Sequence, residues 1–208
     1  MHRIFLSFVA GLLVSVSLYG EESMNLLEDA GFPEGFKIVT KVPGEGMEHP
    51  ADAFVESSSA DSQEITLHIP EGQDIWISSK APLSLDPQSG YIFSVDLKWK
   101  DVQPVGPGVA PHGPGLFVYV YSVRGEHLLA IVPPLEALSD WTTLRIAFDT
   151  GKNDAFEHVR IQMITKDITG TVEIKNPRLI QTDPEKLPES PQFTLPDGSK
   201  VFGPKLAL

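Results

Sequence analysis

The chain predicts an all-β fold, a two-sheet antiparallel β-sandwich of jelly-roll type. Tyr91 to Lys100 places an aromatic or aliphatic residue at every odd position with mostly polar residues between, the period-two pattern of a half-buried strand. About ten segments of this kind lie between residues 24 and 181, separated by turn-forming residues at a spacing that fits a jelly roll. Helix signals are confined to a turn at Asn25 to Ala30 and a short one at Pro134 to Ser139.

The first strands are Phe36 to Thr40, Phe54 to Ser57 and Ile65 to Ile69, the last alternating cleanly. Ile75 to Ser78 follows, and the turn Asp86-Pro-Gln-Ser-Gly90 leads into Tyr91 to Lys100. Leu116 to Val123 and His127 to Val132 read as a hairpin joined through Arg124-Gly125-Glu126. Trp141 to Asp149 sets Leu144, Ile146 and Phe148 on one face. Val159, Ile161 and Met163 alternate with His158, Arg160 and Gln162; Val172 and Ile174 close the set, with Leu179 beyond Pro177. Most of these segments pair an apolar face with a polar one, as two sheets packed face to face require.

Leu116 to Tyr121 breaks that rule. Leu116, Val118 and Val120 form one face, and Phe117, Tyr119 and Tyr121 the other. Either the aliphatic set points inward and Tyr119 and Tyr121 lie on an outer sheet face, or the aromatics fill the core and the aliphatics lie under a loop. On an outer face, aromatic rings with polar tips suit sugars, whose C–H faces stack on π systems while hydroxyls hydrogen-bond around the rim. Trp76 has the same two readings, because Ile75 and Ile77 make an equally good inward face. Trp141 is expected to plug the core and Trp99 to be buried at one end of its strand.

Residues 1 to 20 carry Arg3, then an apolar run from Ile4 to Leu18 and no acid, and read as a secretory signal peptide. The run is short for a bilayer-spanning helix, so no stable membrane span is expected. Its removal takes away Arg3 alone, leaving 15 basic residues against 28 acidic ones and moving the formal charge from −12 to −13. So acidic a surface repels nucleic-acid phosphates and excludes duplex binding. With no cysteine there is neither disulfide nor thiol nucleophile, and a secreted or periplasmic setting in a bacterium fits. Beyond Thr182, prolines at 184, 188, 191, 196 and 204 interrupt strand pairing, and the sandwich domain is assigned to residues 24 to 181. Within the tail of residues 182 to 208, apolar flanks around Pro196-Asp-Gly198 predict a short hairpin.

No spacing in the chain specifies a reaction, and a non-catalytic protein is expected. There is no Gly-x-Ser-x-Gly elbow, and the six histidines never form a metal-spaced pair. A glycosidase would need two carboxylates about 5 to 10 Å apart, and no convincing strand carries a Glu-x-Asp or Glu-x-Glu motif. Asp96, on the polar face of the Tyr91 strand beside Lys98, reads as an acceptor for hydroxyls or a solvated ion-pair partner. The Gly- and Pro-rich segment from Val102 to Gly115 exceeds ordinary connection length and lacks the lysine of a phosphate loop; His112 is its one imidazole.

Asn25-Leu-Leu-Glu-Asp-Ala-Gly-Phe32, Leu83 to Lys98, Asp140-Trp141 leading to Phe148-Asp-Thr150, and Gly170 to Leu179 stand in a familiar order and spacing. Together they resemble the CenC-type jelly-roll carbohydrate-binding modules of the galactose-binding-like superfamily, over most of residues 25 to 180. The resemblance implies a glycan site built from sheet-face and loop aromatics, and Trp76 falls near an early-strand tryptophan of such modules. It also implies a structural calcium, for which Asp29, Glu34 and Asn176 are the side chains to name. The chain departs from the pattern where the closing strand usually has an Asp pair, here Lys175 and Asn176. The expected function is glycan or polysaccharide binding through Tyr119, Tyr121, Asp96, Arg160 and Gln162, with Trp76 and His112 as further contacts. An envelope adaptor that binds a protein partner, or a polysaccharide hydrolase, are the other readings.

Overall fold

The computed structural model describes residues 24–28, 31–41, 47–51, 54–57, 63–107, 113–122, 125–132, 138–150, 158–187, 192–194 and 200–202. In chain order the strands are β1 (Phe36–Lys41), β2 (Glu48–Pro50), β3 (Val55–Ser57), β4 (Glu64–Ile69), β5 (Asp74–Ser79) and β6 (Gly90–Pro104). They continue with β7 (Gly115–Ser122), β8 (Gly125–Val132), β9 (Thr142–Asp149), β10 (Val159–Lys166), β11 (Ile168–Thr182), β12 (Gln192–Thr194) and β13 (Lys200–Phe202). One sheet has the order β2-β1-β5-β10-β7-β8 and the other β13-β12-β9-β6-β11-β4-β3. Every pairing is antiparallel, so the all-β sandwich read from the sequence is the fold. The segment expected to be a signal peptide, Asp29 and His112 lie outside the described residues.

Side-chain parity decides what is inside. Ile75, Ile77, Val118, Val120, Ile161 and Met163 from the first sheet meet Leu67, Phe93, Val95, Ile146, Val172 and Ile174 from the second, all fully buried. The aliphatic face of β7 is therefore the inward one. Trp99 is buried in the core as expected. Trp141 is not: it is half-buried, with Lys175 Nζ 3.7 Å from its ring centroid. In β9, Leu144, Ile146 and Phe148 face the core, so a residue an odd number of positions from them points outward, and Trp141 shares the phase of exposed Thr143.

Polar groups finish the framework. Tyr91 is buried, stacks on Phe148 at 5.6 Å and accepts through its hydroxyl from the Asp86 amide at 2.7 Å. Burial pushes its phenol pKa up, since the charged form loses its water. Thr150 Oγ1 donates to the Asp86 carbonyl at 2.6 Å and accepts from the Ser89 amide at 3.1 Å, which latches the predicted turn. The Asn25 side-chain oxygen accepts from the Leu27 and Leu179 amides at 3.1 and 2.9 Å, tying the start of the domain to β11.

Where β5 and β10 part, Thr165 Oγ1 takes over from the ladder and accepts from the Ile75 amide at 2.8 Å, at a site where Thr165 is 1% exposed. Thr165→Val keeps the shape and orphans that buried N–H. The expected cost is about 1.5 kcal/mol in urea unfolding, and a loss below about 0.5 kcal/mol would show that the amide finds another acceptor.

Two irregularities mark the β6–β11 ladder. Asp101 (φ 55°) is an extra residue in β6 opposite Gly170 (φ 117°). Asn176 (φ 51°) is an extra residue in β11, between Lys175, paired with Asp96, and Arg178, paired with Ser94. The second bulge turns both Lys175 and Asn176 away from the core, and alternation resumes with Arg178 outward and Leu179 buried.

The tail hairpin predicted around Pro196-Asp-Gly198 corresponds to β12 and β13, which pair with each other and, through Gln192 and Arg145, with β9.

Candidate functional site

On the first sheet, residues that alternate with the core positions form rows running across neighbouring strands. Val39, Trp76, Ile164 and Phe117 make one row. Lys37, Ser78, Gln162 and Tyr119 make the next, and Arg160 beside Tyr121 begins a third. The first row is apolar, with Val39 at 9%, Ile164 at 5% and Phe117 at 1% exposure although none belongs to the inter-sheet core, and Val39 and Trp76 are its members that line the hollow beside it. The second and third rows supply hydrogen-bonding groups.

These rows enclose a hollow of about 480 Å³, lined by Trp76, Tyr121, Arg160, Gln162, Ser78 and the lysines of β1 among others. Four residues named from sequence thus meet in one place. Tyr121 is 39% exposed, and Tyr119 flanks the hollow with its ring stacked on Phe117 at 6.1 Å. Arg160 Nη2 donates to the Lys80 carbonyl at 3.4 Å, which holds the guanidinium at the rim. Trp76 Nε1 and Gln162 Oε1 are both buried without a hydrogen-bond partner among the described residues, a donor and an acceptor on adjoining strands.

Lys41, Lys37 and Glu48 were missed in the sequence. Lys41 Nζ lies 3.8 Å from the Trp76 ring centroid and 3.2 Å from Glu48, whose other carboxylate oxygen pairs with Lys37. Strand β2 is three exposed residues with no apolar alternation, so no pattern announced that Glu48 would face β1. Hydrogen bonds from the Lys37 and Lys41 ammoniums hold the Glu48 carboxyl below its ordinary 4.5. The pairing is complete at neutral pH and is lost only as pH falls through that lowered value. In an acid titration followed by NMR, the Trp76 indole resonance is expected to move in step with Glu48, with a midpoint under 4.5. An indole signal that ignores Glu48 would disconnect the ion pair from the ring.

Asp96 requires a correction. A shared site with Tyr119 and Arg160 requires that their strands share a sheet, but β6 lies at the centre of the other one. There Asp96 Oδ1 accepts from Thr143 Oγ1 at 2.6 Å and Oδ2 from Asn176 Nδ2 at 2.9 Å. It lines a second hollow of about 570 Å³ with Ser94, Thr143, Arg145, Asn176 and Arg178. Asn176 therefore faces Asp96, whereas Glu34 offers its backbone carbonyl to Lys80 Nζ at 2.6 Å. Among the described residues no three His, Cys, Asp or Glu side chains come together to hold a metal ion.

No protein-family model matches the chain, and no curated protein matches it. Among solved structures, a CBM4 structure is similar at 15% identity and TM-score 0.49, over 74% of this chain and 91% of that one. A TmCBM61 complex with beta-1,4-galactotriose matches at 12% identity and TM-score 0.44, over 77% and 100%. A cyclase from Fischerella sp. TAU matches at 17% identity and TM-score 0.41, over 73% and 86%. Carbohydrate-binding modules thus stand among the structural neighbours, alongside proteins of other activities, and at these scores the likeness carries no argument about ligand.

Proposed function

We propose that this is a secreted, non-catalytic β-sandwich protein that binds glycan in the hollow on the outward face of the first sheet. The observation that carries the reading is the meeting there of Trp76, Tyr121, Gln162 and Arg160, with Val39 beside the indole. A sugar ring lies over the indole and phenol once Lys41 has moved aside, while its hydroxyls reach Ser78 and the Arg160 guanidinium at the rim.

Lys41 must leave the indole for stacking to occur. Its contacts are a partly exposed ion pair and a partly exposed cation–π contact, each worth on the order of 1 kcal/mol, so its displacement is offset by a stacked ring and two new hydrogen bonds. Hydrolysis is disfavoured because Glu48 is the only carboxylate among the described lining residues, and it is already paired with two lysines. Native gel retardation against a panel of neutral polysaccharides tests the reading. Retention by at least one is expected, and unretarded migration through all of them, with no shift of the Trp76 indole resonance on adding their oligosaccharides, would overturn it.

A further inference from the structure

The second hollow carries chemistry that the first does not. Register sets Arg178 of β11, Ser94 of β6 and Arg145 of β9 side by side on the outward face of the second sheet. The two arginine Cα atoms are therefore two strand spacings apart, about 10 Å, with a serine hydroxyl between them. Neither guanidinium has an ion-pair partner among the described residues, although the chain as a whole carries a net charge of −12. Two residues along β6, about 7 Å away, the next row holds Lys175, Asp96 and Thr143. The bulge at Asn176 brings that amide onto the same face, where it and Thr143 orient the Asp96 carboxylate.

We propose that this face binds a uronic-acid residue of an acidic polysaccharide, with Arg145 and Arg178 clamping its carboxylate above Ser94 and Asp96 accepting its ring hydroxyls. The fork of a guanidinium matches a carboxylate in two parallel hydrogen bonds, and arginines on both flanks reach one anion from opposite sides. Each Asp96 oxygen already accepts one hydrogen bond and keeps a further lone pair for a sugar hydroxyl. Asp96 and Glu28, both lining the hollow, oppose a dianion such as phosphate; a single carboxylate on a hydroxyl-bearing ring meets cations at one row and an acceptor at the next. The first hollow is on the other sheet, so this site stands or falls apart from it.

Calorimetry on the full chain tests it, with trigalacturonate as probe, its neutral trigalactose counterpart as control, and acetate and sulfate as bare anions. Trigalacturonate is expected to bind, with affinity falling steeply as salt rises, and trigalactose to bind at least tenfold more weakly at this face. Arg145→Gln and Arg178→Gln should each lose about tenfold and the double variant all detectable trigalacturonate binding. Chemical-shift mapping on the unaltered chain should centre on Ser94 and Thr143, a readout that does not depend on any variant folding. No trigalacturonate binding, shifts centred elsewhere, or undiminished binding in the double variant would overturn the proposal. Competition by acetate or sulfate as effective as trigalacturonate would mean an adventitious ion only, and would overturn it too.

Discussion

Trp76→Ala is expected to weaken polysaccharide retention at least about tenfold, roughly 1.4 kcal/mol, and Tyr121→Ala by a similar factor. The two variants carry different weight. Trp76 is half-buried between its register partners Val39 and Ile164, so its truncation also opens space on the sheet. Tyr121, 39% exposed, is nearly free of that complication, and its loss reads out binding alone. Trp76→Phe separates the remaining contributions, because it keeps an apolar ring and removes the unpaired Nε1 donor. An intermediate loss, smaller than for alanine, is expected. Affinity electrophoresis with melting curves on the same samples measures all three, and retention unchanged in both alanine variants would remove this face from consideration.

Gly170→Ala is expected to destabilise the fold by about 3 kcal/mol, a fall in Tm of roughly 10 °C. A Cβ at this position would stand 2.5 Å from the Asp101 carbonyl oxygen and 2.8 Å from Asp101 C and Val102 Cα. All three are backbone atoms of the paired strand and cannot swing aside. The φ of +117° adds strain of its own, in a region that essentially only glycine occupies. Gly31→Ala is the control: φ is +61° but nothing lies within 4 Å of the added Cβ, so about 1 kcal/mol is expected. Equal losses in the two variants, measured by urea unfolding, would show that conformation and not the close approach of β6 governs Gly170.

The period-two alternation made the strands legible, and β7 shows how far that goes. Val118 and Val120 are sealed in the core and Tyr121 is open, so parity chose between the two readings of that segment once one neighbour was fixed. The same parity also carries the outward placement of Trp141, against the expectation that it plugs the core. Alternation says which way a side chain faces, but not which sheet it belongs to. That is why Asp96 was grouped with residues of the opposite sheet, for its strand partners Thr143 and Lys175 lie far along the chain. The bulge in β11 did leave a trace: Ile174 and Leu179 are both apolar and face inward though they stand five positions apart, an odd offset that requires one extra residue between. Lys41 and Glu48 left none, since the contact depends on a three-residue strand without apolar pattern.

The central ladder of the second sheet joins β6 to β11, with Asp96 opposite Lys175 and Tyr91 opposite Gln181. A nascent chain emerging N-terminus first has β4, β6 and β9 in hand while the strand that lies between β4 and β6 is still unmade. Closing this ladder brings together segments with a long stretch of polypeptide between them, which slows folding relative to local pairing. Until β11 arrives, Leu67, Leu97 and Trp99 lie along unsatisfied strand edges. The interval before that arrival is when the chain is most exposed to self-association, and when a holding chaperone has most to offer it.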